Sequence, residues 1–531
     1  MKLWKRLVVP SCILLSMLTF VYLLPENSFW CMDEGNRYLQ TWSLSHGLHL
    51  PPELPYPGSE RISDPELVET LKPLPAHFGY LLGRCELYSQ YNPLLALTAV
   101  PSHMLLGQRG IYIPCILAGA ILAYLMALAL RKSNLSFTQR MLLVVLCTPI
   151  PFFMVTFFSH TIALSLAIGS ALLLRRQRYI SAFVLASIAL VFREEMILSY
   201  PMLVLCMDRK PSFLRIVIAC AAAAAVFLVL QRLLTGNWLG THVSASGWQQ
   251  DVYRLNMTWL QARLYIARRA FINAFPGFGW EGLVLGLGIW AAWALTLVTR
   301  GRPSHSFTYA GLMLSAVPLI AILARGLISL DVMDVQHPLV IFPILWLAKP
   351  PRRFLITGGA VILAMILLMS PMHTEDVAWG FRHALLQFLM LAFFIRKAVP
   401  VRLYASVLVI GLLATTTSLS VLTAKRVRSE SLIQALRANG SVVVTTSWQQ
   451  PQDLASMIAD GFPVLNAPST HSVYSAITLF GDQNPLVVVR RGSSDLLFET
   501  AEAAGMRCDL IWSGVNVDPL ANVLVFRCQY R

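Results

Sequence analysis

Charge is what this sequence has least of. Of 531 residues only 27 are Asp or Glu and 42 are Lys or Arg, so 13% are charged, about half the ~25% usual in soluble domains. So few charges cannot cover the surface of a soluble chain of this length, and a soluble fold is excluded. Nucleotide-binding signatures are missing as well. There is no Gly-x-x-x-x-Gly-Lys, no Gly-x-Gly-x-x-Gly after a strand, and no His-Glu-x-x-His. These absences argue against a nucleotide-sugar donor. Low-complexity segments and internal repeats are also lacking, and 26 Phe, 13 Trp and 16 Tyr exclude disorder.

What the chain does have is apolar runs. A helix needs about 20 mostly apolar residues to cross the hydrocarbon. Runs of this kind predict about thirteen spans, at 7–24, 111–130, 141–158, 160–174, 178–192, 195–207, 213–233, 280–299, 306–324, 338–348, 352–371, 383–396 and 401–423. The first follows Lys2, Lys5 and Arg6 and precedes no small-x-small cleavage site, so it reads as a retained anchor. With the N-terminus cytoplasmic, the inner connections hold twenty Lys and Arg against a single acid, Asp208. The outer connections of the membrane part hold thirteen against seventeen, and the tail nine against nine. The net charge of +15 is therefore an orientation signal, and no nucleic-acid partner is implied. The expected location is the cell (inner) membrane, multi-pass, with the C-terminal region periplasmic or extracellular.

The predicted fold is mainly α, a polytopic transmembrane helical bundle over residues 1–424, followed by a small extracytoplasmic α/β domain over 425–531. Two outer loops, 25–110 and 235–279, are large enough to build a site. The first includes an apolar stretch at Pro93–Leu106 expected to lie along the membrane surface. In the tail, strands are predicted at Ser441–Thr446, Leu486–Arg490, Arg507–Trp512 and Asn522–Gln529, and helices at Gln452–Asp460 and Ser494–Gly505. Cys508 and Cys528 fall on neighbouring predicted strands, and Cys31 and Cys85 share the first outer loop. Each pair is a disulfide candidate on an oxidising side.

Chemistry concentrates at Trp30-Cys31-Met32-Asp33-Glu34-Gly35-Asn36-Arg37-Tyr38, directly after the first span. Residues up to His46 read as an amphipathic helix, with Tyr38, Leu39 and Trp42 suited to the lipid interface. Asp33 is either the N-cap of this helix or a general base at the water–lipid boundary, and the two roles are compatible.

These residues resemble a family. An Asp-Glu pair after the first span, an interfacial helix and the later Tyr91-Asn92-Pro93-Leu94-Leu95 are similar to the GT-C superfamily of membrane glycosyltransferases. The nearest branch is glycosyltransferase family 39, the protein O-mannosyltransferases and aminoarabinose transferases. Arg193-Glu194-Glu195-Met196 and Gln336-His337-Pro338-Leu339 resemble two further segments of that family. The resemblance implies a GT-C-like bundle that moves a sugar from a polyprenyl-phosphate-linked donor to a glycan, lipid or protein acceptor, inverting the anomeric centre. It implies Asp33 as base and Glu34 as its neighbour or as ligand of a divalent metal, with no other cofactor. Asn92 stands where the family has Lys, and Gln336-His337 where it has Arg-Tyr. Donor contacts are then expected among Arg84, Tyr91, Asn92, Arg193, Glu194, Arg263, Arg268, Arg269, Arg325 and His337, with Arg268-Arg269 also suited to lipid headgroups. His160 reads as an interfacial filler. Asp331, Asp334 and His337 lack the spacing of a zinc site. A transporter, flippase or ligase of lipid-linked glycans is the alternative. A transporter predicts mid-bilayer polar residues in inverted repeats, whereas the charges here gather at span ends.

Overall fold

A computed structural model describes residues 3–74, 79–82, 86–193, 196–197, 200–201, 212–238, 258–268, 352–368, 385–395, 399–446, 453–490, 506–514 and 523–530, with isolated positions between 280 and 320. The spans expected at 195–207, 280–299, 306–324 and 338–348 lie mostly or wholly outside these residues, as does the tail helix expected at Ser494–Gly505.

The chain opens with α1 (Leu3–Leu23) and α2 (Met32–His46). A three-stranded antiparallel sheet follows, built from β1 (Glu53–Leu54), β2 (Gly79–Leu82) and β3 (Glu86–Ser89) in the order β1-β3-β2, with α3 (Pro65–Leu71) between β1 and β2. The helical body comprises α4 (Leu94–Leu106), α5 (Ile113–Ala129), α6 (Phe137–Leu146), α7 (Ile150–Met154), α8 (His160–Arg175), α9 (Tyr179–Phe192), α10 (Phe213–Thr235), α11 (Trp259–Ala267), α12 (Arg352–Leu368), α13 (Leu385–Met390) and α14 (Val401–Asn439). Among the described residues, three helical stretches are long and apolar enough to cross a membrane: Leu94–Lys132, Leu214–Thr235 and Val401–Asn439. The protein is an integral membrane protein.

The predicted span 141–158 is not continuous. Pro149 cannot donate a backbone hydrogen bond, so α6 ends at Leu146; Pro149 caps and Pro151 opens the single short turn of α7, which ends at Met154. Residues 155–158 carry no helix before α8 begins at His160. Irregular backbone at membrane depth is tolerated only where protein surrounds it and satisfies its polar groups. Here Val155, Thr156, Phe157 and Phe158 are all fully buried.

Helix α14 continues past the predicted domain boundary at residue 424. Its 39 residues make it about 58 Å long, nearly twice the ~30 Å hydrocarbon thickness. The rest of the tail is an α/β unit with β4 (Val443–Thr445), α15 (Ala455–Ala459), β5 (Val464–Asn466), α16 (Thr470–Leu479), β6 (Leu486–Arg490), β7 (Met506–Gly514) and β8 (Val523–Tyr530). The sheet order is β5-β4-β6-β8-β7, parallel through β5-β4-β6 and antiparallel at β6-β8-β7. Strand β5 and helix α16 are additions to the predicted pattern. The Ser469–Ser472 capping box starts α16, and burial of Val473, Ala476 and Ile477 holds it. Cys508 and Cys528 are directly opposed on β7 and β8 and form a disulfide. Cys31 is a buried free thiol, which corrects the Cys31–Cys85 pairing; Cys85 itself lies outside the described residues.

The 25–110 segment is fastened to the tail. Asn27 donates from its amide and its Nδ2 to the two carboxylate oxygens of Glu430 on α14, at 3.1 and 2.9 Å. Ser456 Oγ donates to the Asn27 carbonyl at 2.8 Å. Arg61 reaches both oxygens of Asp482 at 3.2 and 3.1 Å. Gly58, at φ +90°, brings its backbone against the tail, where an added Cβ would lie 3.0 Å from Pro463 and 3.3 Å from Phe480. A left-handed conformation costs a non-glycine residue about 1–2 kcal/mol. Gly58→Ala is expected to lower the apparent unfolding temperature in detergent, while an alanine at the open, exposed Gly359 on α12 does not.

Candidate functional site

The site is built on the first two turns of α2. Cys31 is the N-cap of this helix, and no side chain caps it, so Asp33 is freed from the capping role. Asp33 lies in the first turn, half-buried. Tyr91 Oη donates to Asp33 Oδ1 at 2.6 Å. Burial and the adjacent Asp33 carboxylate push the Tyr91 phenol well above its ordinary value, so Tyr91 remains a donor. One turn after Asp33, Arg37 lies on the same helical face. Its guanidinium sits over the Tyr91 ring at 4.9 Å and the Phe158 ring at 5.5 Å.

Glu34 points elsewhere. It is fully buried, accepting the Trp30 amide at Oε2 and the Phe157 amide at Oε1, both at 2.6 Å. Arg37 Nη1 donates to the Phe157 carbonyl at 3.4 Å. Two residues of α2 therefore satisfy both backbone groups of Phe157 in the break between α7 and α8. Glu34, expected as a neighbour of the base or a metal ligand, here braces main-chain amides. Each of its oxygens accepts one main-chain amide. Among the described residues no group of three or more His, Cys, Asp or Glu is arranged to hold a metal ion.

Burial raises the Glu34 carboxyl above its ordinary value, opposed by Arg426, the two amides and Lys425. A raised folded-state value gives a stability contribution that is full below the ordinary Glu value and is lost as pH rises through the raised one. The difference in unfolding temperature between wild type and Glu34→Ala is therefore expected to shrink as pH rises from about 4.5 upward.

The tail helix also enters the site, which the sequence reading missed. Lys425 Nζ sits 4.8 Å over the Trp30 ring. Arg426, only 2% exposed, donates from Nη2 to the Pro25 carbonyl at 2.8 Å and from Nε to Ser28 Oγ at 3.4 Å, and packs 5.2 Å over the Tyr112 ring. Two basic residues directly after a span on the basic-poor side were the available signal. The same applies to Arg37, an i+4 partner of Asp33 on a helix already predicted.

Other predicted residues fall differently. Asn92 bridges to α10, donating to Gln231 Oε1 at 2.8 Å, and its Oδ1 accepts the Leu94 amide at the start of α4. It is a structural tie. Arg193 ends α9, with its Nη1 3.4 Å from His160 Nδ1. His160 is no interfacial filler: it is 1% exposed and stacks on Phe153 at 4.1 Å. Its ring also packs edge-on against Phe158, the ring beneath Arg37, and this joins Arg193 indirectly to the site. Tyr38 and Leu39 are buried against protein instead of lipid, Tyr38 between Phe29 and His103. Arg268 is exposed beyond α11, and its guanidinium has no hydrogen bond or ion pair among the described residues. Arg84, Glu194, Arg269, Arg325 and His337 lie outside the described residues.

A crystal structure of ArnT from Cupriavidus metallidurans in the apo state aligns over 98% of this chain and 97% of its own, with a TM-score of 0.44 and 10% sequence identity. A likeness at that level assigns neither family nor reaction. No family model and no curated protein matches the sequence.

Proposed function

We propose that this chain is an integral-membrane glycosyltransferase. It takes a sugar from a polyprenyl-phosphate-linked donor and passes it to a hydroxyl of a glycan, lipid or protein acceptor on the outer face of the membrane. The N-terminus is cytoplasmic and the tail is outside. The observation that carries this reading is a half-buried carboxylate, Asp33, aimed by a 2.6 Å bond from a phenol that stays protonated. Such a group is suited to removing a proton from a bound hydroxyl. It lies among cations in a chain otherwise poor in both charges.

The chemistry balances without a further reactant. The acceptor oxygen attacks C1 of the sugar from the face opposite the phosphate, and its proton passes to Asp33. The C1–O bond to the phosphate breaks, and its electron pair leaves with the lipid phosphate, which becomes a dianion. A C1–O bond to the acceptor forms with inverted configuration. Asp33 then returns its proton to water. Cationic groups stabilise the charge that develops on the leaving phosphate.

The test uses purified protein in proteoliposomes, polyprenyl-phosphate-linked hexose or pentose, and crude envelope acceptors. Release of the lipid phosphate with matching appearance of glycosylated acceptor is expected. No acceptor-dependent release across these donors sinks the reading, and movement of intact donor between leaflets without release favours a flippase.

A further inference from the structure

The three-stranded sheet of the first loop has a face that the Asp33 site does not use. Side chains alternate between the two faces of a sheet. Leu54 and Leu87 are buried on one face, with Leu81 packed against the same core. The other face is turned outward. One row across it runs Glu53, Tyr88, Tyr80, because Glu53 on β1 and Tyr80 on β2 both lie directly opposite Tyr88 on β3. Glu86, two residues before Tyr88, shares that face.

The Tyr80 and Tyr88 rings lie nearly parallel, 22° apart, with centroids 5.7 Å from each other. Both tyrosines are half-buried and both glutamates are exposed. Tyr88 Oη donates to Glu86 Oε2 at 3.5 Å. Burial, followed by the Glu86 and Glu53 carboxylates, raises the Tyr88 phenol above its ordinary value, so it remains a hydroxyl. A carboxylate offers about four lone-pair sites, and one long bond leaves most of those on Glu86 open. A cross-strand ring pair stabilises a sheet by itself. The acids beside it do not, since the three strands carry two acids and no base.

This composition selects a ligand. The rings suit the flat C–H side of a pyranose, and the carboxylates accept its hydroxyls in charge-assisted bonds. The same carboxylates repel a phosphate or an anionic lipid headgroup. Position selects the ligand's role. Ser43 Oγ on α2 donates to the Glu53 carbonyl, which ties β1 to the helix that carries Asp33. At the end of β3, Ser89 Oγ accepts the Tyr91 amide at 3.0 Å, and Tyr91 in turn bonds Asp33. Tyr88 is three residues from Tyr91, so their Cα atoms are at most about 11 Å apart, within reach of a short oligosaccharide.

We infer that Tyr80 and Tyr88, with Glu53 and Glu86, form a carbohydrate-binding platform that holds an uncharged glycan acceptor. Of glycan, lipid and protein acceptors, the platform therefore favours the glycan. This rests on the glycosyltransferase reading for the ligand's role as acceptor, but glycan binding can be tested without transfer. No bond forms or breaks on the platform; it holds the chain whose free hydroxyl reaches Asp33.

The experiment measures binding of cellotetraose, maltotetraose and mannotetraose to the full-length protein in lipid nanodiscs free of sugar detergents, by saturation transfer from protein to sugar C–H protons and by titration. At least one of the three is expected to bind. Tyr88→Ala is expected to weaken that binding about tenfold. Glu86→Gln should weaken it several-fold, because a neutral acceptor replaces a charged one. Tyr88→Phe keeps the ring and most of the binding. Unfolding temperatures of Glu86→Gln and Tyr88→Phe near that of wild type separate these effects from damage to the sheet. In transfer assays Tyr88→Ala raises KM for a glycan acceptor and leaves donor KM and kcat near wild type. No binding of any of the three, or unchanged binding in Tyr88→Ala, overturns the proposal. The two readings fail separately. Glycan binding that depends on Tyr88 without any transfer by wild type keeps the platform and sinks the glycosyltransferase. Transfer to a glycan with a KM independent of Tyr88 does the reverse.

Discussion

Asp33→Asn is expected to lower the rate of sugar transfer by about 10²–10⁴-fold, the usual contribution of a positioned general base. The substitution preserves size and retains an oxygen able to accept the 2.6 Å bond from Tyr91, so the fold and the orientation of the side chain persist. What disappears is the affinity for a proton. The loss should fall on kcat, with donor KM nearly unchanged, because the proposed role of Asp33 is on the acceptor hydroxyl. Tyr91→Phe tests the same geometry from the other side. It leaves the base but frees its rotation, and a smaller drop is expected that does not add fully to that of Asp33→Asn, since the two residues act as one unit. Transfer by Asp33→Asn at the wild-type rate would remove Asp33 from the chemistry.

The adjacent carboxylate should behave in the opposite way. Glu34→Ala is expected to destabilise the protein by about 2–6 kcal/mol, since it strands the buried amides of Trp30 and Phe157 at about 1–3 kcal/mol each. It also removes a negative charge facing the buried Arg426. The predicted observation is a loss of monodisperse protein in detergent and a markedly lower unfolding temperature. Asp33→Asn, one residue away, leaves both near wild type. Wild-type stability in Glu34→Ala would show that the break at residues 155–158 is satisfied without it. Neighbouring residues of identical chemistry thus separate into a catalytic and a structural phenotype.

That separation was not legible along the chain. Sequence placed an acidic pair after the first span and predicted the helix that follows, and α2 runs over Met32–His46. The pair nevertheless reads as one functional unit until the position of Phe157 is known, 123 residues away. The span predicted over 141–158 contains Pro149 and Pro151, which mark a break, but apolar content alone ran through it. Strand β5 is three residues long and follows Gly461-Phe462-Pro463, too short for alternation to register. Helix α16 is rich in Ser, Thr and β-branched residues of modest helix propensity, and its cap and buried face form it against that preference. Strands β6 and β8, longer and rich in Val, and the nine-residue β7 were recognisable.

Membrane residence followed from composition, because lipid solvates apolar side chains one residue at a time and the tendency sums along each helix. The position of an acidic pair near a span end, at the start of α2, was likewise readable from residue type and place. The partners of that carboxylate were not. Arg426 meets Ser28 across 398 residues, and Lys425 meets Trp30 across a comparable distance, because α14 runs on beyond the apolar span and returns its first polar turn to the start of the chain. Hydrogen bonds and charge interactions act over a few ångströms of space, whatever the separation in sequence. Which acid meets the Tyr91 phenol and which one braces the backbone were therefore decided by packing.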